Sequence, residues 1–362
     1  MKKELFSVLD GSGTGLVRRN RWPGFLMICL LVLFPFWQLS LAQSRDLDTL
    51  FRDYVGLNDN EIRKIENGED VSKVLKTGNK PEVVVFGAVY VRAQMEDYVA
   101  LFRDLSQLEK YENYFAVRRF SDPPVVSDLE GFSIDHKDIK GLEDCKVADC
   151  DIQLPVQNME AFRNQVDWDA EDVDVQVNEM AKPMFLDLVK AYLAGGNQAL
   201  GEYRDKKKPH VVEDHFKGLL SQLTALPDYA PELHNYLLNY PEATLPGADD
   251  YLYWEHVKFG LKPTIRANHV TIYPMKSGSM SAYITVTKQL YASHYFHTAI
   301  DLSYVVKETP EDPGFFLITV KASCQDGLTG FKGSILRRIV TGKTSDSLRD
   351  ALITIKKKLE QG

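Results

Sequence analysis

The stretch from Tyr251 to Cys324 constrains this 362-residue chain more than any other. TIRANHVTIYP, the turn MKSGS, SAYITVTKQLYASHYFHTAIDLSYVVKE, the turn TPEDPG and FFLITVKASC follow one another with apolar–polar alternation and Gly, Pro and Ser punctuation. That is the pattern of consecutive antiparallel strands. A single strand from Ser281 to Glu308 would far exceed ordinary strand lengths, so a bulge or bend is expected near Ala292–Tyr295. SDSLRDALITIKKKLE closes the chain. Its Leu348, Leu352, Ile355 and Leu359 fall on one helical stripe, and its lysines gather where a helix C-terminus favours positive charge.

Upstream, residues 45–66 read as one or two short helices, with Asn58 and Glu61 spaced as a capping box. VSKVLK and EVVVFGAVYVRA flank a Thr-Gly-Asn-Lys-Pro turn and read as a hairpin. QMEDYVALFRDL places Met95, Tyr98, Val99 and Phe102 at helical spacing. ENYFAVRRFSDPP reads as a further strand ended by its proline pair. From Pro155 to about Leu245 the pattern is helical, broken at Gly195-Gly196, Pro209, Pro227 and Pro241. AGGN follows a helix and lacks the Lys-Ser/Thr of a phosphate loop, so it is a helix end.

The N-terminus has a different character. Arg18, Arg19 and Arg21 precede the apolar run GFLMICLLVLFPFWQLSLA, which ends in Ser40-Leu41-Ala42. Residues 1–42 read as a secretory signal peptide or as an uncleaved N-terminal anchor, and either one exports residues 43–362 to the periplasm or cell envelope. The whole chain carries 43 Lys and Arg against 51 Asp and Glu; residues 1–42 hold five and two of these, which leaves 38 against 49, a net of −11. No nucleic-acid partner is implied by such a balance. In an oxidising compartment Cys145 and Cys150 read as a local disulfide, two unbonded thiols being the alternative. A ring this small contributes only about 2 kcal/mol. Cys324 shares the apolar face of Phe316, Ile318, Val320 and Ala322, so it is expected to be buried and outside any disulfide.

GFKGSILRRIVTGKTSDSLRDALITIKKKLE, residues 330–360, resembles the segment before and along the last helix of the START-like, or SRPBCC, helix-grip superfamily. EVVVFGAVYVRAQMEDYVALFRDL resembles the first strand and following helix of the same proteins. The resemblance covers residues 82–120 and 250–360, and the helical stretch at about 156–246 would be an insertion. The chain also resembles exported bacterial proteins of unassigned function. The superfamily resemblance implies one α+β domain over residues 43–362, in which a curved antiparallel sheet grips a long C-terminal helix. It also implies an apolar cavity between them for lipids, sterols or polyketide-like molecules.

KQLYASHYFHTAI, residues 288–300, carries the most chemistry. Strand parity puts Ile284, Val286, Lys288, Leu290, Ala292, His294 and Phe296 on one face, and Tyr283, Tyr291 and Tyr295 on the other. His297 then points away from His294, so HYFH does not converge on a metal unless a bulge reverses parity. Lys288 and His294 on an apolar face need partners. They are either satisfied by neighbours or orient a mostly apolar ligand. In the ligand reading they face the stripe on the final helix, and Lys288, His294, Arg266, Phe296, Leu352 and Ile355 are the candidate ligand-binding residues. Glu255 and His256 are adjacent and diverge on a strand. His210 and His215, with Glu213 and Asp214, miss the spacing of a zinc helix and read as a solvated helix start.

GLTGFKGSILRRIV places Phe331, Ile335, Leu336 and Ile339 near one helical face, with Lys332, Arg337 and Arg338 supplying positive charge. It is either a connector packed on the sheet or a gate that touches an anionic membrane. GxSxG and HExxH do not occur. Three functions follow: an exported protein holding an apolar small molecule or lipid, without a cofactor or metal; an envelope protein binding a partner through its helical insertion; or a cyclase or hydrolase using Lys288, His294 or Arg266 as acid–base groups.

Overall fold

A computed structural model describes residues 46–361 apart from 80, 259, 261 and 326. The expected signal or anchor segment lies outside the described residues. The chain opens with α1 (Leu47–Thr49), which continues as a wider turn over Leu50–Tyr54, and α2 (Asp59–Glu66). The capping box of α2 is formed: Glu61 N donates to Asn58 Oδ1 at 3.1 Å, and Asn58 N donates to Glu61 Oε2 at 2.9 Å. Next come β1 (Val71–Leu75), β2 (Glu82–Val91), α3 (Met95–Arg103) and β3 (Tyr114–Arg119). A long excursion carries α4 (His136–Glu143), α5 (Val156–Gln165), α6 (Val173–Gly195), a small ribbon of β4 (Glu202–Tyr203) and β5 (His210–Val211), then α7 (Val212–Ser221), α8 (Leu226–Tyr229) and α9 (Pro231–Asn239). The stretch between β3 and β6 thus includes the Cys145–Cys150 loop, between α4 and α5. The chain ends with β6 (Asp249–Lys258), β7 (Pro263–Ser277), β8 (Met280–Ala292), β9 (Phe296–Lys307), β10 (Phe315–Gln325) and α10 (Gly330–Gln361).

Eight strands form one antiparallel sheet in the order β1-β2-β10-β9-β8-β7-β6-β3, not closed into a barrel. The fold is therefore α+β, and its topology is compatible with a helix grip. Both faces are covered. On the helix face, Val83, Val85, Val89, Val305 and Leu317 pack with Tyr98 of α3 and with Leu348 and Leu352 of α10. On the insertion face, Phe86, Ile284, Val286, Ile300 and Ile318 meet Phe216 and Leu219 of α7, while Trp254, Ala267 and Tyr291 meet Phe162, Phe185 and Val189. Two-sided burial explains why EVVVFGAVYV reads as a nearly continuous apolar run rather than an alternation.

The helix grip is tightest at Gly87. A Cβ built there would lie 2.9 Å from both Leu348 Cδ2 and Leu352 Cδ1, so the missing side chain lets the helix rest on β2. Among the described residues no helix is long and apolar enough to cross a membrane.

Candidate functional site

The expected irregularity near Ala292 takes the form of a hairpin. β8 ends at Ala292 and β9 starts at Phe296, with Tyr295 in a left-handed conformation at φ 69°. Two bulges flank the turn. Ala267 pairs with Tyr291 but Asn268 with Gln289, so Leu290 is an extra residue in β8. Likewise Cys324 pairs with Thr298 but Gln325 with Phe296, so His297 is extra in β9. Each bulge reverses parity beyond it. Tyr291 therefore lies on the insertion face with Lys288, not opposite it.

His294, at the hairpin tip, joins the disulfide loop of the insertion. Its Nε2 lies 2.7 Å from Asp138 Oδ2 and its Nδ1 2.9 Å from the Asp151 carbonyl. Lys262 Nζ donates to Asp138 Oδ1 at 3.1 Å and to Asp151 Oδ2 at 3.2 Å. Burial pushes the Asp138 carboxyl up, but hydrogen bonds and charge from His294 and Lys262 outweigh it and hold the group below its ordinary value. His294 thus bridges a carboxylate of α4 and a backbone carbonyl beside the disulfide, one through each ring nitrogen. Gln153 N donates to Ser293 O at 3.0 Å, and Tyr291 OH donates to Gln153 O at 3.0 Å. Cys145 and Cys150 are disulfide-bonded, and Cys324 is a buried thiol outside that bond. Both match the sequence reading.

Lys288 is 1% exposed. Its Nζ donates to Asn197 Oδ1 and, at 3.3 Å, to Tyr192 OH. The ammonium also sits 4.7 Å from the Tyr192 ring centre and 4.3 Å from that of Phe216. Asn197 presents its oxygen because its Nδ2 donates to the carbonyls of Leu237 and Leu238, at 3.1 and 2.9 Å. Tyr192 OH is 2.8 Å from His269 Nδ1, whose Nε2 is 3.2 Å from Asp250. Thr271 and Tyr236 donate to the same carboxylate at 2.6 and 2.8 Å. Burial lowers the Lys288 amine to about 7, opposed only in part by the charge of Glu213.

Neither group faces the final helix. Lys288 and His294 lie on the insertion side, which corrects the expectation that they turn toward Leu348, Leu352, Ile355 and Leu359. The other candidates separate too. Arg266 points to the helix face, where its Nη1 is 2.8 Å from Glu255 Oε1 and its guanidinium carbon 5.9 Å from the Phe296 ring centre. Burial raises the Glu255 carboxyl despite the charge of Arg266. Leu352 and Ile355 pack over β2, four places along the sheet from β7. The six candidate ligand residues therefore form a sealed lysine network, a histidine clasp, an Arg266–Phe296 pair and a helix–sheet contact. Lys288, His294 and Arg266 share no reaction centre. Glu255 and His256 diverge to opposite faces as expected.

Two cavities open on the insertion face. One of about 60 Å³ lies between insertion and sheet, lined by Phe162, Phe185, Ile265 and Tyr291, with Asp138 and His256 at its polar edge. The other, about 100 Å³, is lined by Tyr54, Phe86, Leu226, Leu302, Tyr304 and Ile318, among others, and is almost wholly apolar.

The start of α10 also departs from the connector reading. Phe331, Ile335, Leu336 and Ile339 are 85, 56, 42 and 50% exposed, so they do not pack on the sheet. Gly333 turns inward instead; a Cβ there would lie 2.5 Å from the Leu328 carbonyl carbon. Arg337 donates to Thr77 Oγ1 at 3.0 Å, while Lys332 and Arg338 are exposed. His210 and His215 are not a solvated helix start: they meet His297 and Cys324 beneath α7. Parity had hidden this, because only the β9 bulge turns His297 toward them.

No family model matches this chain, and neither a curated protein nor a solved structure does.

Proposed function

We propose that this chain is a ligand-holding protein of START-like architecture whose occupant is apolar and enters the 100 Å³ cavity on the insertion face. That cavity carries the reading: its walls offer apolar side chains from the wider turn after α1, from α8 and from five strands, with the Tyr54 hydroxyl donating to Asp228 and that of Tyr304 to Met280 Sδ. Few polar groups on a mostly apolar wall is how small-molecule sites are usually built. A dry cavity of about 150 Å³ accepts a benzene-sized molecule. At about 100 Å³ the space here is smaller and suits a short alkyl end of a larger lipid, with the rest lying outside. The START-like assignment is supported by the strand order and by a long helix directly after the last strand.

Two further readings go with this one. The disulfide supports an oxidising compartment, and so export through the N-terminal segment. The exposed apolar stripe at the start of α10, beside Lys332 and Arg338, supports contact with an anionic membrane from which such a ligand would come.

The test is organic extraction of protein purified from its native envelope, followed by mass spectrometry. An alkyl or aromatic compound should co-purify with the wild type and fall at least ten-fold in Leu302→Trp, which fills the cavity mouth. An empty wild type that also ignores added fatty acids and aromatic probes would sink the reading.

A further inference from the structure

Four segments bring metal-capable side chains together beneath α7. His210 comes from β5, His215 from α7, His297 from the β9 bulge and Cys324 from β10. Ring centres are 4.0 Å apart for His210 and His297, 4.8 Å for His215 and His297, and 5.6 Å for His210 and His215. Imidazoles sharing one tetrahedral zinc at Zn–N distances of about 2.0–2.1 Å hold their centres roughly 5 Å apart. Cys324 Sγ is 3.4 Å from His215 Nδ1. A thiolate at about 2.3 Å and an imidazole nitrogen at about 2.0 Å on one tetrahedral ion stand roughly 3.5 Å apart.

A carboxylate adds to the set. Glu82 is the register partner of Cys324 on β2, and its Oε1 lies 3.3 Å from a Cβ built on Gly218 of α7. Among the described residues its buried Oε2 has no hydrogen-bond partner. Its Oε1 accepts from Asn79 Nδ2 at 3.3 Å.

We infer that His210, His215, His297 and Cys324 form a zinc site, with Glu82 held beside it. As the side chains stand, no group of three or more His, Cys, Asp or Glu among the described residues is placed to hold a metal ion, so the site needs them to rearrange. Two of the three ring separations are near those of a ligand set, but the His210–His297 rings at 4.0 Å stand closer than that, and the aim is off: the His215 and His297 rings lie within 14° of parallel. Forming the site requires the imidazoles to turn about χ2, a broad torsion, and the His210 and His297 rings to part. Three imidazoles and one thiolate in tetrahedral array favour Zn²⁺ over the harder Mg²⁺ or Ca²⁺. On binding, the Cys324 thiol gives up its proton and the sulfur takes the metal in its place. The ion would tie α7 of the insertion to β9 and β10.

A thiol–imidazole hydrogen bond has the same length as the S···N contact, so the experiment must separate the two. The chain is stripped with chelator under non-reducing conditions, which keep the Cys145–Cys150 bond closed, then titrated with Zn²⁺ and separately with Co²⁺. The expected result is one zinc per chain, a Tm that climbs with the logarithm of zinc concentration, and a thiolate-to-cobalt charge-transfer band. Cys324→Ser should lose that band. His215→Ala and His297→Ala should weaken zinc at least 100-fold, while the exposed control His136→Ala binds as the wild type does. Absence of the thiolate band in the wild type overturns the site even if every variant fails to fold. Zinc binding that is unchanged in both His215→Ala and Cys324→Ser shows an adventitious ion and overturns it as well.

Discussion

His294 Nε2 and Asp138 Oδ2, 156 positions apart in the chain, meet at 2.7 Å inside the protein, both side chains buried. The pair fastens the β8–β9 hairpin to the disulfide loop. Replacing His294 by Phe leaves a buried carboxylate with Lys262 alone, and breaking a buried pair in this way costs about 3–5 kcal/mol. Urea unfolding should show that loss, with ligand binding in the 100 Å³ cavity unchanged. A His294→Phe variant of wild-type stability would show that the clasp holds nothing.

The same carboxylate sets an acid limit. Asp138 titrates lower in the folded chain than its ordinary value of 3.8. Its contribution is present above the unfolded-state value and is lost as pH falls through the lowered folded value. Asp138→Asn should therefore remove part of the steepness of unfolding below about pH 4, which pH-resolved circular dichroism measures directly.

Lys288 has a consequence of the same sign at the alkaline side. Its folded value of about 7 lies below the ordinary 10.5. Between these values the unfolded chain binds more protons, so stability rises with pH by about 1.4 kcal/mol per unit from this group. Lys288→Met should flatten that rise between pH 7 and about 10. An unchanged slope in guanidinium titrations across the window would place the charge elsewhere.

Gly87 and Leu352 should be energetically coupled. Leu352→Ala removes a packed wall and is expected to cost about 2–5 kcal/mol. Gly87→Ala places a methyl against Leu348 and Leu352 and should cost about 1–3 kcal/mol alone. In the double variant the added methyl occupies space that Leu352 has left, so the two losses should sum to less than their parts, by about 0.5–3 kcal/mol. Strict additivity would mean the contact at Gly87 is not tight.

The stripe on α10 gives a fourth measurable contact. Ile335→Glu with Arg338→Glu should abolish flotation with anionic liposomes and leave Tm within about 2–4 °C, since both side chains are exposed and exposed substitutions change stability little. Arg337 is left intact because it holds Thr77. A wild type that never floats would remove the membrane from the account.

The sequence by itself determined the strands, the final helix, the capped α2 and the Cys145–Cys150 bond, because period-two alternation, helical spacing and a six-residue ring are local properties. It also grouped Ile284, Val286 and Lys288 correctly on one side of a strand. Local chemistry cannot say which side that is when both are covered, and here the apolar face carrying Lys288 lies under the insertion rather than under α10. Register was equally out of reach. Single extra residues at Leu290 and His297 reverse everything beyond them, and they arise only from pairing with β7 and β10. The partners of Lys288 and His294, namely Asn197, Tyr192 and Asp138, come from positions 91 to 156 residues away. Tertiary packing alone decided these contacts, since desolvating a charge forces it to find a partner without fixing which segment supplies it.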